Sequence, residues 1–239
     1  MPGKLWTTDE MTTDAMTTKE MTTKETDYLH ATPFIDSDDP AIVAFAHNAL
    51  GDAETVKDKA LALYGAVRDQ IQYDPYIDFL NPAEFRASDV LRAGRGFCVG
   101  KSALLTAAAR AARIPARPGY ADVRNHLTSK RLKEQVGDTF IWHSYTELKI
   151  DGKWVKCTPA FDKVLCERAR IKPLDFDGVN DSLFHPFDQA GRRHMEYLQD
   201  RGAYADVPFD TILADFKTFY PNLVAASPTA ASFRDEVTT

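Results

Sequence analysis

The stretch from Gly94 to Arg117, GRGFCVGKSALLTAAARAARIPAR, constrains the fold more than any other part of this chain. A glycine-rich turn runs into an Ala/Leu-rich segment, and Ile114-Pro115 ends it. Proline has no N–H to donate and disfavours helical backbone in the residue before it. A helix over about Phe97–Ala112 follows, with Leu104, Leu105, Ala108 and Ala112 along its apolar face. The turn sets Cys98 at the start of that helix. There, free N–H groups and the positive end of the helix dipole favour an anion, and the thiolate is the nucleophilic form of cysteine. Lys101, one turn further on, is either a solvated surface residue or a charge that helps ionise the thiol.

The second strong signal is a hairpin. Thr139–Ile150 and Lys153–Cys157 read as strands joined by Asp151-Gly152, a dipeptide suited to a two-residue turn. With that loop Ile150 faces Lys153, and Glu147 meets Lys156 as a cross-strand ion pair. Extending the register sets Tyr145 opposite Thr158 and His143 opposite Ala160. His143, Tyr145, Glu147, Trp154, Lys156, Thr158 and Asp162 then share one sheet face. Thr158 and Asp162 both stand diagonal to His143, about 7–8 Å away at Cα. Each is a candidate to orient the imidazole.

Around these signals, Pro40 suits the first turn of a helix capped by Asp38 or Asp39 and ended by Gly51, and a second helix runs from about Asp52 to Gln70. Ala116–Arg124 reads as a strand, and Arg192–Asp200 reads as a helix. Residues 1–27 carry a threonine-rich five-residue repeat, poor in branched apolar side chains, and are expected to be a disordered tail. A single domain is expected over 28–225, with a flexible tail over 226–239.

The net charge of −6 argues against nucleic-acid binding, and no apolar run is long enough to span a bilayer. The N-terminus lacks the apolar core of a signal peptide, so a cytoplasmic location is expected. Three cysteines, Cys98, Cys157 and Cys166, form neither a disulfide framework nor a zinc pattern. His185, Asp188 and His194 fit no familiar ligand spacing, and His126 lies in a polar loop. No metal or cofactor is expected.

The segments GRGFCVGKSALLTAAARAARIPAR and HSYTELKIDGKWVKCTP resemble the core of transglutaminase-like proteins. The shared features are the Gly-x-Cys turn entering an Ala/Leu-rich helix, the Ile-Pro-Ala-Arg exit, and a histidine followed by a Gly-Lys-Trp-Val hairpin. AVRDQIQYDPY, upstream, resembles that family's approach to the cysteine. The resemblance covers about Thr32–Asp162. It implies an α+β papain-like fold, with the cysteine starting a central helix packed on an antiparallel sheet that carries the histidine. It also implies a Cys-His-Asp triad acting on peptide or protein amides by hydrolysis or acyl transfer, without metal. Carried over by position, Cys98 is the nucleophile and His143 the base. Where the family has its aspartate, before a proline, this chain has Thr158. Either Asp162 substitutes for it, or the site only binds peptides or proteins. Lys172–Asp210 resembles a C-terminal extension of uncharacterised bacterial members and is expected to form a lid.

Overall fold

The structure, a computed structural model, describes residues 26–125, 129–183, 195–226 and 233–237. The threonine-rich repeat, His126, His185, Asp188 and His194 lie outside the described residues.

Helix α1 spans Pro40–Leu50, with Pro40 in its first turn and the Asp39 carboxylate accepting the Ala41 N–H at 2.8 Å. Helix α2, Val56–Gln70, begins four residues later than its apolar spacing suggests, because the Thr55 hydroxyl accepts the Asp58 N–H and fixes the start there. Helix α3, Ala87–Ala93, ends where Gly94 turns left-handed at φ 64°. Strand β1, Gln72–Tyr73, pairs in parallel with β2, Arg95–Gly96. That pairing feeds the chain into α4, Cys98–Ala111, which is buried from Val99 to Arg110.

Four antiparallel strands make the main sheet: β3 (Ala116–Asn125), β4 (Thr139–Ile150), β5 (Lys153–Cys157) and β6 (Met195–Ala203), in the order β5-β4-β3-β6. The β4–β5 hairpin holds the register expected from Asp151-Gly152, with Ile150 opposite Lys153 and Glu147 opposite Lys156. Helix α4 lies across one face of the sheet. Leu104, Leu105, Tyr120, Trp142, Leu148 and Ile150 belong to the buried cluster between them. The Ser102 hydroxyl lies 2.7 Å from the Tyr145 carbonyl, to which it donates, and 2.8 Å from the Thr146 hydroxyl, tying helix to strand. The architecture is thus the α+β arrangement expected, a central helix on an antiparallel sheet.

Two segments differ from their sequence expectations. Met195–Ala203 is an edge strand on β3, not a helix. Its Glu, Leu, Gln and Arg residues favour helix locally, but the unpaired backbone groups of β3 outweigh that preference. Within the C-terminal stretch expected to be flexible, Phe233–Glu236 forms a helical turn with Phe233 buried. Its aromatic anchor and three charged residues find partners that a linear reading does not reveal. The remaining elements are a short 3-10 helix, Pro82–Glu84, and the helices α5 (Lys130–Val136), α6 (Lys163–Arg168), α7 (Phe209–Phe219), α8 (Pro221–Ala225) and α9 (Phe233–Glu236). Among the described residues, no helix is long and apolar enough to cross a membrane.

Candidate active site

Cys98 is the first residue of α4. Close packing at the helix start explains the glycine two residues after it. A Cβ on Gly100 would sit 2.8 Å from the Glu84 carbonyl oxygen and 2.9 Å from Val90 Cγ2. Upstream, Gln72 N–H donates to Gly94 O at 2.9 Å and Asp74 N–H to Gly96 O at 3.1 Å, which fixes the turn before the cysteine. Burial pushes the Cys98 thiol up to about 11, against the pull of hydrogen bonds from the backbone N–H groups of Ser144, Val99 and Cys98 itself. Those N–H groups favour a thiolate, yet burial outweighs them here.

His143 sits on β4 opposite Ala121, next to a register shift between Ala121 and Val123. The residue before it, Trp142, has φ 58°, an uncommon conformation for a bulky side chain. Three residues from three elements hold it. Trp142 N–H donates to Asp122 at 3.1 Å, and its indole N–H donates to Asp215 of α7 at 2.7 Å. Arg201 of β6 bridges both carboxylates at 2.5 and 2.9 Å and lies 4.5 Å over the indole ring. Burial lowers the His143 imidazole to about 4, and its Nε2 is buried with no hydrogen-bond partner. In this arrangement Cys98 and His143 are therefore both neutral near pH 7, a thiol beside an imidazole cavity rather than an ion pair.

The two residues line one cavity of about 50 Å³, walled by Tyr73, Phe97, Phe140, Phe216, Tyr220 and Leu223 among others. A second cavity of about 50 Å³ also contains His143 and Tyr73, and is bounded by Phe161, Phe233 and Val237. The cover comes from α7, α8 and α9. Tyr220 O–H donates to Thr139 O at 2.5 Å, and its oxygen accepts the Ile141 N–H at 2.7 Å, fastening α8 to β4. The described part of Lys172–Asp210, expected to be a lid, instead includes the sheet strand β6 and the Ser182 bridge to Cys157.

Neither candidate for orienting His143 makes that contact. Asp162 is 1 % exposed and caps α6. Its carboxylate accepts the Leu165 N–H at 2.9 Å, the Tyr73 N–H at 3.0 Å and an Arg234 N–H at 2.9 Å. Among the described residues no hydrogen bond joins it to His143. Strand β5 stops at Cys157, where the Thr158 N–H turns to Ser182 O at 3.0 Å, so the hairpin register does not continue to Asp162. The Thr158 hydroxyl is buried without a partner.

Lys101 is neither on the surface nor beside the thiol. It is fully buried, and its ammonium nitrogen donates to Arg68 O at 2.9 Å and Ile71 O at 2.5 Å, satisfying carbonyls at the end of α2. Burial brings its pKa down to about 7. Cys157 and Cys166 are buried and free, and burial raises the Cys166 thiol to about 12. The Asp122–Arg201–Asp215 clamp escapes a linear reading. Its members are far apart in sequence and carry no motif.

The transglutaminase-like superfamily profile matches residues 43–159, close to half of the chain and the part that contains both Cys98 and His143. No curated protein sequence matches the chain. Among solved structures, a Cytophaga hutchinsonii protein named "putative cysteine protease" is 20% identical with a TM-score of 0.47, the match covering 77% of this chain and 47% of that one. A structure named a TGase is 18% identical with a TM-score of 0.42, covering 90% of this chain and 56% of that one. The chain thus spans about half the length of the structures it matches. The matched segment, with its central helix and histidine-bearing sheet, is similar to the core of the transglutaminase-like superfamily.

Proposed function

We propose that this protein is a thiol enzyme acting on amide bonds of peptides or proteins, with Cys98 as nucleophile and His143 as base. The observation that carries it is the shared cavity: the first residue of α4 and a histidine with an unused ring nitrogen line the same small space. The neutral pair is the ground state of such a reaction. When a peptide carbonyl enters, His143 takes the thiol proton as sulfur bonds to the carbonyl carbon. Backbone N–H groups at the start of α4 stabilise the oxyanion. The C–N bond then breaks, and His143 returns the proton to the leaving amine. Water releases an acid from the thioester, or a second amine forms a new amide.

A second reading has its own support. Thr158 stands where the family pattern has aspartate, its hydroxyl is unpartnered, and Asp162 is committed to α6, Tyr73 and Arg234. Without a carboxylate behind the imidazole, the same cleft serves as a peptide-binding module.

The deciding experiment is iodoacetamide alkylation of Cys98 across pH, read by peptide mass, with Cys157 and Cys166 as internal references. An enzyme shows a Cys98 rate that falls in His143→Ala and that a peptide substrate suppresses by occupying and acylating the thiol. A rate that climbs only at alkaline pH and ignores His143→Ala replaces catalysis with binding.

A further inference from the structure

The C-terminal turn α9 makes a set of contacts out of proportion to its length. Phe233 is buried, its ring 5.6 Å from that of Tyr73 and 5.9 Å from that of Tyr76, both edge-on. Arg234 pairs with the buried Asp162 at 2.9 Å. Asp235 meets Arg168 at 2.6 Å. Glu236 accepts from the Tyr76 hydroxyl and from Arg131 at 3.2 Å, and Arg131 itself stacks over the Tyr76 ring at 4.3 Å. Val237 and Phe233 then form part of the wall of the cavity that contains His143. Four consecutive side chains, Phe233 to Glu236, each meet partners, and those partners come from three separate segments, 73–76, 131 and 162–168.

This is how a groove reads a peptide: an apolar anchor in an aromatic pocket, flanked by charges matched one by one. The charge match has direction. A carboxylate as deeply buried as Asp162 favours a cation at the position after the anchor. Two arginines, Arg168 and Arg131, then favour acids at the next two positions.

We propose that Phe233–Val237 occupies, in cis, a peptide-binding subsite adjoining His143, and that the subsite takes peptides in which an aromatic residue is followed by a basic and then two acidic residues. The inference rests on the cavity at Cys98 and His143 being the functional site, and it names the peptide class that site receives. The chain's own segment competes with any incoming peptide of that class.

The test uses the full chain and a fluorescein-labelled peptide, AASFRDEVTT, with binding followed by fluorescence anisotropy. In the Phe233→Ser variant the resident segment loses its anchor, so the peptide binds at least tenfold tighter than to the parent chain. A control peptide with alanine in place of phenylalanine binds neither protein. Equal affinity for the parent and a folded Phe233→Ser variant overturns the proposal, as does equal binding of the control peptide. Thermal unfolding reports whether Phe233→Ser is folded. Should it not be, Glu236→Gln, which loosens only the half-exposed end of the segment, is expected to tighten peptide binding severalfold, and no change there overturns the proposal. Anisotropy needs no turnover, so an inert Cys98 would remove the enzyme reading while leaving the peptide result standing.

Discussion

The fold treats two sets of buried polar groups in opposite ways, Ser102 with Thr146 on one side and His143 and Thr158 on the other. At Ser102 and Thr146 every hydroxyl is used: Ser102 donates to Tyr145 O, meets the Thr146 hydroxyl, and its own carbonyl accepts from Thr146 at 3.2 Å. At His143 and Thr158 a ring nitrogen and a hydroxyl are buried with no partner. A buried polar atom left unpaired costs about 1–3 kcal/mol, so a fold keeps such atoms sparingly. The first cluster locks helix to sheet. The second leaves hydrogen-bonding capacity unused, and His143 lines the cavity that Cys98 also lines.

The largest effect should come from the satisfied side. Gly119 lies directly opposite Tyr145, and a Cβ there would sit 2.2 Å from the Tyr145 ring. That ring is buried, and its backbone carbonyl is the Ser102 acceptor. Gly119→Ala is expected to cost about 3 kcal/mol or more, seen as a large drop in thermal midpoint. A variant as stable as the parent would show that the ring is free to move and the cluster is not a lock.

Next comes the pH dependence of the unpaired side. The folded-state value of His143, about 4, lies below the ordinary 6.5, so the unfolded chain binds this proton first as pH falls. The contribution is whole above pH 6.5 and is lost as pH drops toward 4, amounting to about 3 kcal/mol. Urea unfolding at several pH values should show that slope in the parent and a shallower one in His143→Leu. Identical slopes would mean that the imidazole is hydrated in solution and the contrast between the clusters is overstated.

Two smaller substitutions sharpen the comparison. Ser102→Ala removes one donor from the satisfied cluster and should cost about 1–2 kcal/mol. Thr158→Val removes a hydroxyl that makes no bond, so its stability should stay within about 0.5 kcal/mol of the parent or rise. Equilibrium unfolding of both variants decides the matter. A loss in Thr158→Val as large as that in Ser102→Ala would mean that the hydroxyl has a partner in solution.

Much of the frame was legible because it rests on local chemistry. Gly94, Ile114-Pro115 and the Ala/Leu spacing bound α4 to within a residue or so, and Asp151-Gly152 set the hairpin register. At the candidate site, the position of Cys98 at a helix start and of His143 on a strand was legible, and the two line one cavity. It was not legible at Asp162. Parity along a strand counts only while the strand lasts, and β5 stops at Cys157 where Ser182 takes over the pairing. Nor was it legible at Lys101, since helical spacing cannot tell a surface lysine from one inserted under the end of another helix. Met195–Ala203 misled because edge pairing along β3 overrides the preference of its residues.

The sequence by itself determined where the helix starts, which cysteine heads it, and which strand carries the histidine. Turn residues, proline and apolar periodicity act over a few positions, and their effects do not need the rest of the chain. Only the tertiary structure decided the charge state and surroundings of the pair. The neutral thiol and imidazole follow from burial beneath Phe216, Tyr220 and Leu223. The left-handed Trp142 next to His143 is held by Asp122, Arg201 and Asp215. The Asp162 carboxylate is taken by Arg234 from the far end of the chain. Desolvation and long-range pairing depend on what packs against a group, and that information is spread over residues that meet only once the chain has folded.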